Sequence, residues 1–294
     1  MKNIRRGLTF SAILIIGALL PATATPLFAQ MGGSSAHPAP QQQQPPAAQT
    51  PPNNSAPAAT PAPKIDPAEE ADYKAFIALK PEDDDKRIEL GNAFVQKYPN
   101  GHYTEAVYSQ LTQADYNKRD FPKMYADSDK ALAMNPDDVS VLVVIGFVIP
   151  HVYNPNDIDA DAKLDKAEKY EKHALETLAT MPKPANLTDE QFAKTKTMAE
   201  SQAHSALGLI YFRKQNFDGA VTELTKGTST AASPDPTDYY VMGVSLGHLD
   251  RFSDAAEAYN KCAATAGTLQ ARCKQGADDA KKQAATKPAP PAKP

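Results

Sequence analysis

A run of apolar and small residues recurs in this chain at an offset of 35 residues. The first copy reads Leu207-Gly208-Leu209-Ile210-Tyr211, then Asn216-Phe217, Ala220, Leu224 and Gly227. The second reads Met242-Gly243-Val244-Ser245-Leu246, then Arg251-Phe252, Ala255, Tyr259 and Cys262. A fixed period of this length predicts supersecondary units that stack on one another instead of sharing one central core. Large residues one helical turn apart, from Leu207 to Tyr211, predict a first helix, and the stretch from Phe217 predicts a second. Polar turns, Lys214-Gln215-Asn216 and His248 to Arg251, lie between them. Glycine inside a helix costs about 1 kcal/mol relative to alanine. Gly208 and Gly243 therefore imply close approach of a partner helix, with Ala220 and Ala255 as the small residues that permit it.

These slots resemble the tetratricopeptide repeat, which places Leu-Gly and an aromatic in its first helix and Ala and an aromatic in its second. Tyr239 takes the early aromatic slot of the second copy. Leu224 and Leu246 replace aromatics, no Pro closes either copy, and Pro234 comes late. The resemblance implies an all-α fold, a tetratricopeptide-type helical-hairpin solenoid. Weaker copies extend it upstream. Ala71 to Leu79 and Lys86 to Tyr98 read as one hairpin. Another opens with Tyr108 and Leu111, continues from Phe121, and ends at Asn135-Pro136. A third has a first helix around Leu142 to Ile149, ended by Pro150. Its second helix runs from about Ala160 to Ala179, after roughly nine residues more than the repeat allows. Residues 188 to 213 predict one extended first helix. About five hairpins thus occupy residues 66–265. A helix from Leu269 to about Ala285 is expected to cap the last apolar face, giving a repeat domain over 66–285.

The ends of the chain are different material. Residues 1–29 begin with Lys2, Arg5 and Arg6, continue through the apolar run Leu8 to Leu20, and leave through Ala22-Thr23-Ala24 and Leu27-Phe28-Ala29. That order predicts a secretory signal peptide cleaved after Ala24 or Ala29. The run is shorter than the roughly 20 residues of a membrane span, so no stable span is expected after cleavage. Between Gln30 and Pro63 there is no Asp, Glu, Lys or Arg, and nine prolines accompany the Gln41–Gln44 run. Residues 30–65 are expected to be a disordered, extended spacer, and 286–294 a short tail of the same kind. Setting residues 1–29 aside leaves 28 basic against 35 acidic residues, a net charge of −7. An acidic chain without a basic block does not suggest nucleic acid as a partner.

The two cysteines, Cys262 and Cys273, are eleven residues apart. In one straight helix they would stand about 16 Å apart, out of bridging range. A turn at Ala266-Gly267-Thr268 would fold the segments antiparallel and bring the thiols level. Export permits a disulfide there, and two buried thiols are the alternative.

No motif for catalysis is present: there is no Gly-x-Ser-x-Gly, no phosphate loop and no histidine pair at metal-binding spacing. Asp157, Asp159, Asp161, Asp165 and Glu168 have the spacing of a calcium loop, but Ala162 stands where such a loop turns on Gly. The same acids suit the positive end of the following helix. The chain is therefore expected to be non-enzymatic, without metal or cofactor.

Members of the resembled family bind ligands in a concave face lined by first helices. Carried onto this chain, the outward slots are Gln113, Tyr116 and Asn117, then Val143 and Phe147, then Leu209, Phe212 and Arg213, then Tyr240, Val244 and His248. Tyr116, Asn117, Phe147, Phe212, Arg213, Tyr240 and His248 supply aromatic and hydrogen-bonding groups that suit an extended peptide. The carboxylate clamp of some members is not expected, because Ser109, Val143, Ser205, Leu209 and Val244 occupy its places. The partner implied is a protein or peptide of the cell envelope, outside the cytoplasm or in the periplasm. Two alternatives stay open: a structural envelope protein that assembles with its own copies as a homo-oligomer, and an accessory subunit of an envelope enzyme or secretion complex.

Overall fold

The computed structural model describes residues 65–184 and 187–286. Apart from Ile65 and Thr286, the expected signal peptide, spacer and tail lie outside the described residues. Eleven helices and no strand form among the described residues. They pair into five hairpins: α1 (Pro67–Ile77) with α2 (Asp84–Lys97), α3 (Thr104–Lys118) with α4 (Phe121–Met134), and α5 (Val139–His151) with α6 (Ala160–Thr180). α7 (Asp189–Arg213) pairs with α8 (Phe217–Thr230), and α9 (Pro236–His248) with α10 (Phe252–Ala264). α11 (Gln270–Thr286) packs on α10 and α9, in the place of a sixth first helix. The solenoid is of the tetratricopeptide kind expected from the repeat.

Local chemistry sets the helix starts. Thr188 and Gln191 form a capping box at α7, the hydroxyl accepting from Gln191 N–H at 3.2 Å and the amide oxygen accepting from Thr188 N–H at 2.9 Å. Asp138 accepts from the backbone N–H of Ser140 at 2.9 Å, and Asp235 from that of Thr237 at 2.7 Å. Each aspartate satisfies a donor that the helix start leaves unpaired. One end differs from expectation. α5 continues past Pro150 to His151: the proline forfeits its own N–H bond and crowds the Gly146 carbonyl, yet only one helical residue follows it.

Three hairpin turns share a conformation the sequence reading did not foresee. Arg119, Gln215 and Asp250 adopt left-handed backbone, with φ of 60°, 59° and 58°. Each stands two residues before the Phe that opens the second helix: Phe121, Phe217 and Phe252. The next N–H reaches back alike in all three: Asp120 to the Asp115 carbonyl at 2.9 Å, Asn216 to Tyr211 at 2.8 Å, and Arg251 to Leu246 at 2.9 Å. Side chains other than Gly hold this conformation at a cost of roughly 1–2 kcal/mol. Gln215→Gly is therefore expected to stabilise the protein by about 0.5–1 kcal/mol, since glycine's larger unfolded-state entropy cancels part of the relief. Asp250→Gly should gain less, because Asp tolerates this region better. Denaturant midpoints of the two variants check both.

The hairpins close on glycine. A Cβ at Gly208 would lie 2.4 Å from Leu224 Cγ, and one at Gly243 would lie 2.8 Å from the Tyr259 ring. Ala220 and Ala255 are fully buried on the facing helices. At the C-terminal end Cys262 and Cys273 are disulfide-bonded, with Cα atoms 5.8 Å apart, and this ties α10 to α11. Within the array, α3 touches α5, α5 touches α7 and α7 touches α9, while successive second helices make no comparable contact. The first helices thus form the inner, tighter row, and the second helices splay outward.

Candidate functional site

The inner row brings the last turns of α3, α5, α7 and α9 side by side. Tyr116 at the end of α3 and Phe147 in α5 pack on one cluster with Met124, Val144 and Val148. The Phe147 ring lies 4.1 Å from that of His151, and His151 Nδ1 lies 2.7 Å from the Phe147 carbonyl. That carbonyl can only accept, so Nδ1 carries the proton. Burial holds His151 below the usual imidazole range; its hydrogen bond to Phe147 and the Asp235 charge oppose the shift, and Arg213 adds to it. The ring is accordingly neutral near pH 7.

Arg213 joins α7 to this end of α5. Its Nε donates to the Pro150 carbonyl at 3.3 Å, one of the acceptors that a helix C-terminus leaves open. Its guanidinium lies 5.6 Å from the centre of the Tyr153 ring. Burial lowers its pKa, with Tyr153 acting in the opposite sense. Phe212, beside it, stands 6.2 Å from Phe217. Phe217 stacks on His248 of α9 with ring centres 4.1 Å apart and planes 1° from parallel. The result is a chain of rings and one guanidinium crossing four hairpins: Tyr116, Phe147, His151, Tyr153, Arg213, Phe212, Phe217 and His248.

Of the predicted residues, Tyr116, Phe147, Phe212, Arg213 and His248 fall in this band. Tyr240 does not. It is 6% exposed, and its ring lies 5.9 Å from Tyr259, under the guanidinium of Arg272. The cause is α11, which covers the slot that a terminal first helix would otherwise present. Val143 and Leu209 are buried as well: Val143 packs with Ala199 and Ala203 of α7, and Leu209 with Tyr240 and Val241 of α9. Stacking of successive first helices consumes those positions. Asn117 is exposed but turned aside, accepting from Gln113 Nε2 at 3.0 Å and donating to Asp84 at 3.2 Å. Val244 is half-buried against the Cys262 and Cys273 cluster.

His151, Tyr153 and Phe217 belong to the band but were not foreseen as site residues. Phe217 had a signal, its fixed place at the start of α8, which reads as packing. His151 and Tyr153 sit where the repeat is interrupted, so the period says nothing about them. Four of the five acids of the calcium-like spacing, Asp157, Asp159, Asp165 and Glu168, are engaged by lysines. Lys163 Nζ lies 3.4 Å from Asp157 and 2.9 Å from Asp159. Lys214 reaches Asp165 at 2.5 Å and Glu168 at 2.6 Å. Burial alone would raise Glu168, but Lys172 and Lys214 bring it down to about 2. This network staples α6 to the end of α7. No group of three or more His, Cys, Asp or Glu among the described residues is arranged to hold a metal ion. No helix of the described residues is long and apolar enough to cross a membrane.

No protein-family model matches the chain, and no curated protein does. Among solved structures it is similar to a thermophilic TPR protein of Thermus thermophilus. That match has 14% sequence identity and a TM-score of 0.46, and covers 71% of this chain and 98% of that one.

Proposed function

We propose that this chain is an exported, non-enzymatic scaffold whose inner face binds an extended peptide or protein segment in the cell envelope. The observation that carries the reading is the band itself. Aromatic rings and a half-buried guanidinium run along the last turns of α3, α5, α7 and α9, with Phe217 at the start of α8 bridging the last two. Such groups supply much contact area at low entropic cost and recur at binding hot spots. A strip spanning several repeats suits an extended ligand better than a small compact one. Export is supported by the basic start, apolar run and small-residue exit of residues 1–29. The Cys262–Cys273 pair is consistent with an oxidising compartment.

Photo-crosslinkers at Phe147 and Phe212 are expected to capture a protein segment in cells, while the same group at Thr225, exposed on the outer helix α8, captures none. A synthetic peptide of the captured segment should then bind the purified protein. Phe212→Ala should weaken that binding about tenfold or more, as truncation of a hot-spot aromatic does. Capture only from the outer face would reject the inner-face reading. Capture of a second copy of this chain would favour self-assembly, and co-purification with an enzyme or secretion complex would favour the accessory role.

A further inference from the structure

The third hairpin breaks the rule set by the fourth and fifth. Gly208 faces Leu224 and Gly243 faces Tyr259, both sixteen residues on. Gly146 faces Glu171, twenty-five residues on; five of the nine extra residues lie in the longer α5–α6 connection and four lengthen the start of α6. Glu171 thus stands where a leucine or a ring fills the matched hairpins. It is 0% exposed, and neither Oε1 nor Oε2 has a hydrogen-bond partner. A Cβ on residue 146 would fall 2.4 Å from Oε1, so the carboxyl lies directly against the α5 backbone. One turn to either side along α6, Ala167 and Ala174 are buried in apolar clusters with Ile145 and Leu142 of α5 and with Ile210 and Ala203 of α7. An ionised carboxylate cannot be held unpaired in such a place, whereas the neutral acid can.

We propose that the α5–α6 hairpin is a proton-locked joint, which closes with Glu171 as the neutral acid and loosens when Glu171 gives up its proton.

The neighbouring charges leave Glu171 alone. α5 carries no ionisable side chain apart from His151 at its far end, which packs on Phe147. On α7, Glu200 pairs with Lys196 at 3.9 Å, His204 with Glu223 at 2.6 Å, Tyr211 bonds to Glu168 at 3.2 Å, and Arg213 bonds to Pro150. On α6 itself, Lys172 pairs with Glu168 at 2.7 Å and His173 with Asp137 at 2.7 Å. From α4, Asp129 pairs with Lys166 at 3.4 Å. Burial pushes the Glu171 carboxyl well above its ordinary 4.5, with no charged group contributing. A raised carboxyl contributes stability that is complete below the unfolded value and is lost as pH rises toward the folded one. Across that window, one such group lowers the folded-to-unfolded ratio about tenfold per pH unit. Burial also raises Glu105 and Asp238 to about 7 and Asp115 to about 6, so their contributions have the same sign. The share of Glu171 is therefore read by difference. The joint would operate whether or not the aromatic band binds a peptide.

Denaturation of the full chain from pH 5 to 8 tests the joint in wild type, Glu171→Leu and Glu171→Gln. The wild type is expected to lose stability as pH rises. Glu171→Leu, which restores the residue of the Leu224 slot, should remove about a tenfold-per-unit share of that slope and exceed the wild type at pH 8. Glu171→Gln should flatten the slope alike. Carbon-13 titration of the Glu171 carboxyl, assigned through bonds in the wild type, needs no variant to fold and should show an acid that keeps its proton well above pH 4.5. A Glu171 signal that titrates near 4.5, or variants that retain the wild-type slope, would overturn the proposal.

Discussion

Gly208→Val should lower stability by about 1–3 kcal/mol, an effect that begins with one missing methyl group. A Cβ there would sit 2.4 Å from Leu224 Cγ and 3.2 Å from the Leu224 backbone nitrogen. Leu224 is fully buried and cannot swing out, so the relief available is movement of α8 away from α7. Overpacking of this kind typically costs about 1–3 kcal/mol, occasionally more, and a β-branched side chain limits the rotamers that could lessen it. The helix propensity gained by losing glycine, up to about 1 kcal/mol, offsets only part. Gly247→Ala, on α9 with no atom within 4 Å of the new Cβ, is the control and should be neutral or slightly stabilising. In a domain of this size the Gly208 variant should melt roughly 2–12 °C lower. Gly208→Val melting with the wild type would mean that the helices do not meet at glycine.

Reduction of the Cys262–Cys273 bond is expected to release the C-terminal cap. The bond closes a loop of eleven residues' separation between α10 and α11. Chain-entropy reasoning gives about 3 kcal/mol for a loop of that length. In a stacked array this loss is local, because α11 contacts only α9 and α10 among the helices it packs on. Amide exchange in α11 should therefore accelerate roughly hundredfold on reduction, while α5 and α7 change little. Exposure of Tyr240 should follow, since Arg272 and Cys273 of α11 cover it. Exchange measured with and without reductant, and in Cys262→Ala/Cys273→Ala, checks both parts. Unchanged exchange in α11 would show that apolar packing alone holds the cap.

The two variants bear on what could be read in advance. Helices α7 to α10 were legible because their signals are local: a 35-residue period, a glycine matched by a small residue of the second helix, and turns of fixed length. The capping helix and the extended start of α7 were expected as well, while for the two cysteines flanking Gly267 both a bond and two buried thiols stayed open until the structure joined them. The left-handed turns at Arg119, Gln215 and Asp250 were not. Their residue types carry no mark of that conformation, which the hydrogen bond from the following residue imposes.

The candidate site was legible in part. Phe147, Phe212, Arg213 and His248, carried over from the family resemblance, stand in the last turns of first helices. Tyr240 comes from the same resemblance yet is buried, since occupancy of its slot depends on α11, which lies outside the repeat. Val143 and Leu209 are lost to stacking between successive first helices. Sequence by itself determined the hairpins, their order and the residues that hold them shut, because those depend on neighbours within one period. Tertiary structure alone decided which first-helix slots stay open, why His151, Tyr153 and Phe217 join the band, and that Glu171 is sealed against Gly146. Those outcomes depend on contacts between units, which a repeated pattern leaves free to vary from one hairpin to the next.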